Sequence, residues 1–255
     1  MSSKPSSSSK AKLSVNLNKV ALLRNQRPLT IPSVTAAAEQ VIAAGAHGIT
    51  VHPRPDQRHI RPGDVYDLAE LLKQHPGIEY NIEGNPFNSD LMELVRATRP
   101  TQCTLVPDDP AQATSDHGWD VAKDGERLRP ILEELHALGV RSAMFMDADC
   151  EQIQRLTELS LDRIELYTEP YAEAFLNGEA QSSVKTYQAA AELAQQLGLG
   201  VNAGHDLSLE NLPDFAVVPN VLEVSIGHAI TADALTYGFT LAVQKYLDVL
   251  GWHAN

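Results

Sequence analysis

The sequence predicts an α/β fold, a single (β/α)8 TIM barrel with extra short helices in the βα loops, on three observations. Short apolar or β-branched runs alternate with longer segments rich in Ala, Leu, Glu and Gln, which is the pattern of βα units on a parallel sheet. Eight such units follow one another along the chain. The chain has 255 residues, and barrels of this kind occupy about 250 residues as one domain.

Eight short runs carry the strand signal, and helical segments separate them. A doubly wound open sheet is the structural alternative, but it usually has fewer strands. The count of eight therefore favours closure into a barrel. The predicted strands are 13–17, 48–52, 79–83, 102–106, 142–147, 163–167, 200–204 and 222–227.

Helix start and stop signals lie between these strands. Ser or Thr precedes several helical segments, and Gly or Pro follows them, as expected for helix caps. The segment 171–180, after the sixth strand, predicts an additional short helix in a βα loop. The main predicted helical segments, from start signal to stop signal, are 33–45, 89–100, 128–139, 182–198 and 231–250.

The charge balance excludes several classes of partner. The formal net charge is −13, whereas nucleic acid and anionic membrane surfaces require a basic footprint. No apolar run approaches the roughly 20 residues that cross a bilayer. A small phosphorylated molecule remains a plausible ligand class, because it needs only a local cluster of cations and backbone N–H groups.

The cysteines and the N-terminus indicate a cytoplasmic protein. Cys103 and Cys150 have no metal-type spacing and suggest no disulfide framework, so both are predicted to be small apolar core residues. Residues 1–12 are rich in Ser and Lys and contain no apolar stretch of a secretion signal, which predicts a disordered tail. The catalytic barrel is then predicted over 13–255.

Polar residues concentrate where the predicted strands end, which is where barrel enzymes build their active sites. Four of the nine histidines, at 52, 59, 205 and 228, fall at or just beyond strand ends. Glu83 ends the third strand, Glu165 lies in the sixth, and Asp147 and Asp149 follow the fifth. Because strand ends of a barrel converge on one mouth, this convergence predicts a functional cluster.

Two further features indicate phosphate binding. Gly204-His205 and Gly227-His228 follow strands seven and eight, where barrels commonly bind phosphate through loop N–H groups and a helix N-terminus. Four arginines can supply positive charge. They are Arg24, Arg27, Arg54 and Arg58.

The histidines and carboxylates can either hold a divalent metal or transfer protons without one. The sequence contains no H-x-H pair and no HExxH motif. Proton transfer without a metal is therefore the favoured hypothesis, and no metal or other cofactor is expected.

Seven motifs, in order along the chain, resemble those of the pyridoxine 5′-phosphate synthase family of vitamin B6 biosynthesis. The resemblance implies a barrel with extra helices that assembles into a homo-oligomer, an octamer of dimers. It also implies condensation of 1-deoxy-D-xylulose 5-phosphate with 3-amino-2-oxopropyl phosphate to pyridoxine 5′-phosphate, with release of phosphate and water and without a cofactor. The motifs are VNLNKVALLRNQR, GITVHPRPDQRHI, YNIEGN, LVPD, FMDAD, VNAGHDL and SIGHAI.

The resemblance also implies roles for individual residues. His52 matches a general base, Glu83 a second acid/base group, His205 a general acid, and Glu165 a carboxylate that stabilises a charged transition state. The expected substrate-binding residues are Asn16, Asn18, Lys19, Arg27, Arg54, His59, Thr114, Asp206, Gly227 and His228.

The sequence departs from the common family pattern at four places. Asn18-Lys19 stands where Asp-His is expected, which replaces an anion and a titratable ring by an amide and a permanent cation. IEGN replaces a more apolar stretch, Tyr167 and Glu169 replace a His and a Gly, and Asp206 replaces a Gly. These changes affect the expected substrate contacts more than the expected reaction.

Two other functions remain open from the sequence. One is a different phosphate-binding barrel, such as a metal-dependent aldolase or lyase that uses the His/Glu cluster as ligands. The other is a catalytically silent metabolite-binding barrel, which the four departures favour but the joint presence of His52, Glu83 and His205 disfavours.

Overall fold

The computed structural model describes residues 10–253, and its eight parallel strands form a closed barrel in chain order. β8 pairs in parallel with β1, which completes the ring. Closure confirms the predicted fold class and excludes the open sheet. The strands are β1 (Lys12–Asn16), β2 (Gly48–Val51), β3 (Glu79–Gly84), β4 (Gln102–Leu105), β5 (Arg141–Met146), β6 (Arg163–Tyr167), β7 (Gly200–Gly204) and β8 (Val221–Ile226).

Helices connect successive strands. The predicted extra helix after the sixth strand is present as α7, and a 3-10 turn, Leu156–Glu158, follows α6. The helices are α1 (Asn18–Asn25), α2 (Val34–Ala43), α3 (Pro62–Leu72), α4 (Leu91–Thr98), α5 (Val121–Ala137), α6 (Cys150–Arg155), α7 (Glu169–Leu176), α8 (Ala180–Gln196), α9 (Leu212–Phe215), α10 (His228–Tyr237) and α11 (Phe239–Val249).

Two predicted helix starts lie too far along the chain. α5 begins at Val121, because the Asp120 side chain accepts a hydrogen bond from the Lys123 N–H and caps the helix. α8 begins at Ala180, before the Ser pair that was interpreted as its start. In both cases helical residues extend upstream of the signal read from the sequence.

The predicted last helix, from Thr231 toward Leu250, is wrong as one unit. Gly238 has φ 75° and ψ 156°, and it separates α10 from α11. An L-residue with a side chain rarely adopts this backbone conformation, so the glycine marks the break. The break lets the first of the two helices start directly at the end of β8.

Strand alternation divides the core into two parts. In β2, Ile49 and Val51 are fully buried hydrophobic residues of the main core, and Thr50 is a fully buried polar residue. Thr50 shares a 2.7 Å hydrogen bond with Ser14, and the Thr104 hydroxyl donates to the Asn81 side chain at 3.0 Å. The barrel interior therefore contains a hydrogen-bonded polar core.

The first and last described segments of the chain, near Lys10 and Trp252, meet beside the N-terminal ends of the strands. Lys10 donates to the backbone oxygen of Gly251 at 2.6 Å, and the Trp252 indole donates to the backbone oxygen of Ala11 at 2.7 Å. β1 begins at Lys12. The predicted tail boundary, after residue 12, therefore falls within ordered chain, and residues 1–9 of the predicted tail lie outside the described residues.

The two cysteines differ in environment. Cys103 is buried in β4, as predicted, and burial raises the pKa of its thiol. Cys150 is exposed, so its assignment to the core is wrong. It is the first residue of α6, directly after the helix-capping Asp149, where the chain faces solvent. Between residues 10 and 253, no helix is long and apolar enough to span a membrane.

Candidate active site

A cavity of about 370 Å³ opens at the C-terminal ends of the strands. Strand ends and βα loops that are distant in sequence meet there, as the fold requires. All but one of the residues predicted to form the site line this cavity, and the exception is Arg27. Those that line it are Asn16, Asn18, Lys19, His52, Arg54, His59, Glu83, Thr114, Glu165, His205, Asp206, Gly227 and His228.

The first two strand ends are fastened to each other by short side chains. The Asn16 side-chain oxygen accepts from the Asn18 N–H at 2.9 Å, and the Asn18 side-chain oxygen accepts from the His52 N–H at 2.9 Å. Asn18, the first residue of α1, therefore fixes the backbone that presents His52. Asn18 is one of the departures from the common family pattern, and it contributes directly to the geometry of the site.

His52 lies between two carboxylates. Its Nε2 is 2.9 Å from Asp108 Oδ2, and its Nδ1 is 3.7 Å from Glu83 Oε2. Burial alone would lower the pKa of His52, but Asp108 and Glu83 together outweigh burial and raise it. His52 is therefore a stronger base than an ordinary buried histidine.

Arg54 and Arg58 hold the loop between β4 and α5 over one side of the cavity. Arg54 Nη2 is 2.9 Å from Asp108 Oδ2. Arg58 donates to the backbone oxygens of Gln112 at 2.7 Å and Pro110 at 2.8 Å. Both guanidinium groups also line the cavity, so they can order this loop and still attract an anion.

His59 is a neutral imidazole at the rim of this basic cluster. Burial, then the nearby His52 and Arg54, lower its pKa to about 3. Its Nδ1 accepts a 2.9 Å hydrogen bond from the Ile60 N–H. The proton of the neutral ring therefore lies on Nε2, which makes His59 a hydrogen-bond donor near neutral pH.

Glu165 is a buried carboxyl group that lines the cavity. It is 3% exposed, and its Oε2 has no hydrogen-bond partner among the described residues. Burial and then the neighbouring Glu83 and Glu223 raise its pKa well above the ordinary value. The protein environment therefore favours the neutral form of Glu165 more than water does.

His205 lies in the turn after β7, where the backbone adopts an unusual conformation. His205 and Asp206 have φ values of 85° and 53°, a region that most residues with side chains avoid. Thr168 Oγ1 donates to the backbone oxygens of Gly204 and His205, and Asn211 donates to that of Asp206 at 2.9 Å. These bonds hold the turn in place.

The His205 ring is fixed from several sides. Its centroid lies 5.3 Å from that of Phe145 and 5.4 Å from that of Tyr167, and its Nε2 is 3.2 Å from Thr114 Oγ1. Burial lowers its pKa. Tyr167 in turn donates to Glu169 at 3.2 Å, so two of the departures from the family pattern form a matched pair.

Gly227 and His228 form the start of α10 on the cavity rim. Gly227 is the N-cap residue, and no side chain caps this helix. A Cβ at Gly227 would lie 3.0 Å from the Asn16 Cβ, so a larger residue would crowd β1. A ten-residue helix whose first residues line a cavity provides a favourable anion site.

Several charged residues singled out in the sequence lie elsewhere or have structural contacts. Arg27 is exposed in the turn after α1 and does not line the cavity. Arg24 pairs with Asp64, so it is not free to bind phosphate. Asp147 accepts from the Gly118 N–H at 3.1 Å, and Asp149 caps α6.

One buried acid of the site was missed by sequence reasoning. Asp108 ends the LVPD motif, three residues after the end of β4, and it contacts both His52 and Arg54. The strand-end rule that found Glu83 and His205 applies equally to this position. Within residues 10–253, no three His, Cys, Asp or Glu side chains are arranged to hold a metal ion, and the absence of a cofactor remains a prediction.

Comparison with known proteins identifies the family. The family model for the pyridoxal phosphate biosynthesis protein PdxJ matches residues 13–251. The chain belongs to the PdxJ family. A relative in Xanthomonas campestris, named pyridoxine 5′-phosphate synthase, is 55% identical over 95% of this chain and 97% of its own length. A relative of the same name in Albidiferax ferrireducens is 53% identical over 92% of this chain and 96% of its own.

Solved structures of other barrels share the fold at low sequence identity. The YdjI aldolase from Escherichia coli K12 superimposes with a TM-score of 0.63 at 8% identity, covering 96% of this chain and 93% of that chain. A phosphoribosyl anthranilate isomerase gives a TM-score of 0.56 at 12% identity, covering 94% and 98%. These similarities concern the barrel alone, whereas membership of the PdxJ family rests on sequence.

Proposed function

We propose that this PdxJ-family enzyme condenses 1-deoxy-D-xylulose 5-phosphate with 3-amino-2-oxopropyl phosphate to form pyridoxine 5′-phosphate, phosphate and water. The observation that carries the proposal is the cavity at the strand ends. It brings the acid/base candidates His52, His205, Glu83 and Glu165 together with cationic side chains, the groups that a ring closure between two phosphorylated substrates requires. The names of the relatives support the same reaction.

The two histidines divide the proton transfers. The carboxylates beside His52 raise its pKa, whereas burial lowers that of His205. The stronger base accepts a proton from the substrate, and the stronger acid, once protonated, returns a proton to the departing oxygen. Glu83, 3.7 Å from His52, is the second acid/base group of this unit.

Glu165 responds to positive charge on the substrate. In the free protein burial and two other acids raise its pKa and so favour the neutral carboxyl. A cationic amine or imine next to it reverses that effect and favours the carboxylate. Glu165 can therefore release its proton as positive charge develops at the condensing nitrogen, and it then stabilises that charge.

Two groups of residues that line the cavity offer different phosphate contacts. The start of α10 offers N–H groups and the positive end of a helix dipole. Lys19, Arg54 and Arg58 offer positive charge, and neutral His59 offers one N–H. Two anion sites within one cavity match two phosphorylated substrates.

Arg27 and the assembly are part of the same proposal. We propose a homo-oligomer, an octamer of dimers, that works in the cytoplasm. Arg27 lies in an exposed segment with Leu23, Leu29 and Ile31, whose exposed fractions are 53%, 58% and 67%. Oligomer formation would cover apolar surface of this kind. Sedimentation of the purified protein tests the assembly, and fractionation of cells tests the location.

The reaction is tested with purified protein and both substrates. We expect release of inorganic phosphate and formation of pyridoxine 5′-phosphate, with neither product when one substrate is omitted and little of either from the His52→Asn variant. Activity that is lost in chelator and restored by a divalent ion would indicate a metal-dependent enzyme instead. Substrate binding without any product would indicate a silent metabolite-binding barrel.

A further inference from the structure

Asp108 is the buried acid that contacts His52 and that neither the motifs nor the comparisons assign a role. It is 6% exposed and lies in the loop after β4, three residues beyond Leu105. Its Oδ2 is 2.9 Å from His52 Nε2 and 2.9 Å from Arg54 Nη2. One carboxylate oxygen thus contacts a proposed catalytic ring and a cation at the same time.

The backbone of Asp108 is fixed independently of these charges. The side-chain amides of Asn85 and Asn88, in the loop after β3, each donate to the Asp108 backbone oxygen at 2.9 Å. The Val106 N–H donates to the backbone oxygen of Gly84 at 2.9 Å. The carboxylate is therefore held at a defined position beside His52 and does not sample the open cavity.

The contact determines which ring nitrogen of His52 carries the proton. His52 and Arg54 hold the pKa of Asp108 at about 2 even though burial opposes this, so Asp108 is a carboxylate and only accepts hydrogen bonds. The angles of this contact fall outside a hydrogen bond, but a carboxylate at 2.9 Å still attracts the ring proton to Nε2 and so favours the Nε2–H tautomer of the neutral ring. The lone pair then lies on Nδ1, which faces Glu83 at 3.7 Å.

We propose that Asp108 is a positioning residue that keeps the proton of His52 on Nε2, so that Nδ1 is the nitrogen that takes the proton from the substrate. The catalytic part rests on the proposed function. In that step the substrate proton forms a bond to Nδ1, and the electron pair of the broken bond stays on the substrate. The imidazolium that results lies between the carboxylates of Asp108 and Glu83, which stabilise its charge.

Two substitutions separate this role from simple loop packing. Asp108→Asn keeps the size but offers an amide N–H to Nε2, which favours the wrong tautomer and removes a negative charge. Asp108→Glu keeps the charge and serves as the rescue variant. Asp109→Asn is the matched control, because Asp109 is the next residue of the same loop and its exposed carboxylate accepts from the Ala111 N–H at 2.8 Å.

The first readout needs no substrate. Nitrogen-15 NMR of the histidine side chains follows the tautomer and titration of His52, assigned by its loss in His52→Asn. We expect the Nε2–H tautomer above the pKa of His52 in the wild type and in Asp109→Asn. In Asp108→Asn we expect a shift toward Nδ1–H and a lower pKa, set by Glu83 and by the surrounding Arg54, His59 and His205. An unchanged tautomer and titration would overturn the proposal.

The second readout is turnover. In Asp108→Asn we expect kcat to fall on the order of 10²-fold with KM nearly unchanged. The substitution changes the tautomer of the base, whereas the substrate-binding contacts remain. The acid limb of the kcat/KM profile moves to lower pH, and Asp108→Glu recovers part of the loss. A rise in KM alone, or a fall in melting temperature that accounts for the loss, would show that Asp108 only orders Arg54 and the loop.

The two readouts also distinguish the failure of this inference from the failure of the proposed function. If the wild type forms no pyridoxine 5′-phosphate but the His52 tautomer still depends on Asp108, the proposed reaction is wrong and the positioning contact stands. If the wild type forms product while Asp108→Asn keeps full kcat and an unchanged tautomer, the reaction stands and the role of Asp108 is wrong.

Discussion

Glu79 and Glu165 belong to the same barrel, and their environments are opposite. Glu79, at the N-terminal end of β3, lies 2.5 Å from Lys12 and pairs also with Arg141. These cations overcome burial and lower its pKa to about 2. Glu165, at the mouth, has an oxygen without a partner among the described residues, and burial and neighbouring acids raise its pKa well above the ordinary value.

The difference indicates what each end of the barrel does. At the N-terminal end the charge of Glu79 is matched by Lys12 and Arg141, and this pairing stabilises the fold. At the mouth, Glu165 lacks a cationic partner within residues 10–253, and a positively charged substrate group could supply one. An unpaired buried acid of this kind is typical of functional sites. Glu223 lies between these extremes, since burial and then Glu79 raise its pKa to about 7 although Arg163 and Arg141 oppose them.

The largest expected effect follows from shared proton transfer at the mouth. His52→Asn and Glu83→Gln each remove one member of a unit, and each should lower kcat by about 10² to 10⁴-fold. The double variant should lose little more than the worse single variant, because residues that act together give non-additive losses. Steady-state kinetics on folded protein measure this, and additive losses would mean that the two residues act independently.

Glu79 and Glu165 should change the free energy of unfolding in opposite directions as pH rises. The pKa of Glu79 falls from 4.5 to about 2 on folding, so its pairing stabilises the fold above pH 4.5 and is lost as pH falls toward 2. After allowance for solvent screening of this half-buried group, Glu79→Gln should cost about 1–2 kcal/mol near pH 7 and less near pH 3. Urea unfolding at several pH values measures this difference.

Glu165→Gln should have the opposite effect of pH on stability from Glu79→Gln. Since folding raises the pKa of Glu165, wild-type stability decreases as pH rises above the unfolded value and toward the folded one. The variant cannot ionise, so it should match the wild type near pH 4 and exceed it near pH 8. A variant that is less stable than the wild type at pH 8 would mean that Glu165 is ionised and paired in the free protein.

A smaller effect is expected at Lys19. It lines the cavity and makes no ion pair with a carboxylate among the described residues, so it is available to a substrate phosphate. Lys19→Ala should raise KM about tenfold with little change in kcat, because a fixed cation binds ground and transition states alike. Lys123→Ala, an exposed lysine of α5, is the control. A large loss of kcat at unchanged KM would give Lys19 a chemical role.

The smallest effect is expected at Asp206. Its φ of 53° is tolerated by Asp or Gly but not by a β-branched residue. Asp206→Gly should change the free energy of unfolding by about 0.5 kcal/mol or less, whereas Asp206→Val should cost about 1–2 kcal/mol. Thermal or urea unfolding checks both. Equal stability of the two variants would show that the backbone conformation of the turn is not constrained.

The sequence was sufficient for the barrel and for most of the mouth. Strand periodicity is local, so the predicted start of β1, residue 13, differs by one residue from the observed Lys12. Strand ends converge by topology, so His52, Glu83 and His205 could be placed in one cavity before any contact was known. Both inferences depend on regular features of the chain.

The features that the sequence did not predict depend on tertiary contacts. Arg24 and Arg54 look alike in the sequence, but Asp64 pairs with one and Asp108 with the other. The protonation of Glu165 depends on which acids surround it in space. The break at Gly238 escaped because glycine also occurs within helices, and only its φ of 75° reveals the interruption.

The most direct test compares turnover per folded molecule in His52→Asn and Glu79→Gln with both phosphorylated substrates. His52→Asn should keep the wild-type melting temperature and lose about 10² to 10⁴-fold in kcat. Glu79→Gln should melt at a lower temperature and keep near-normal kcat in the molecules that remain folded. If Glu79→Gln lost turnover while His52→Asn kept it, the assignment of stability to one end of the barrel and chemistry to the other would be contradicted.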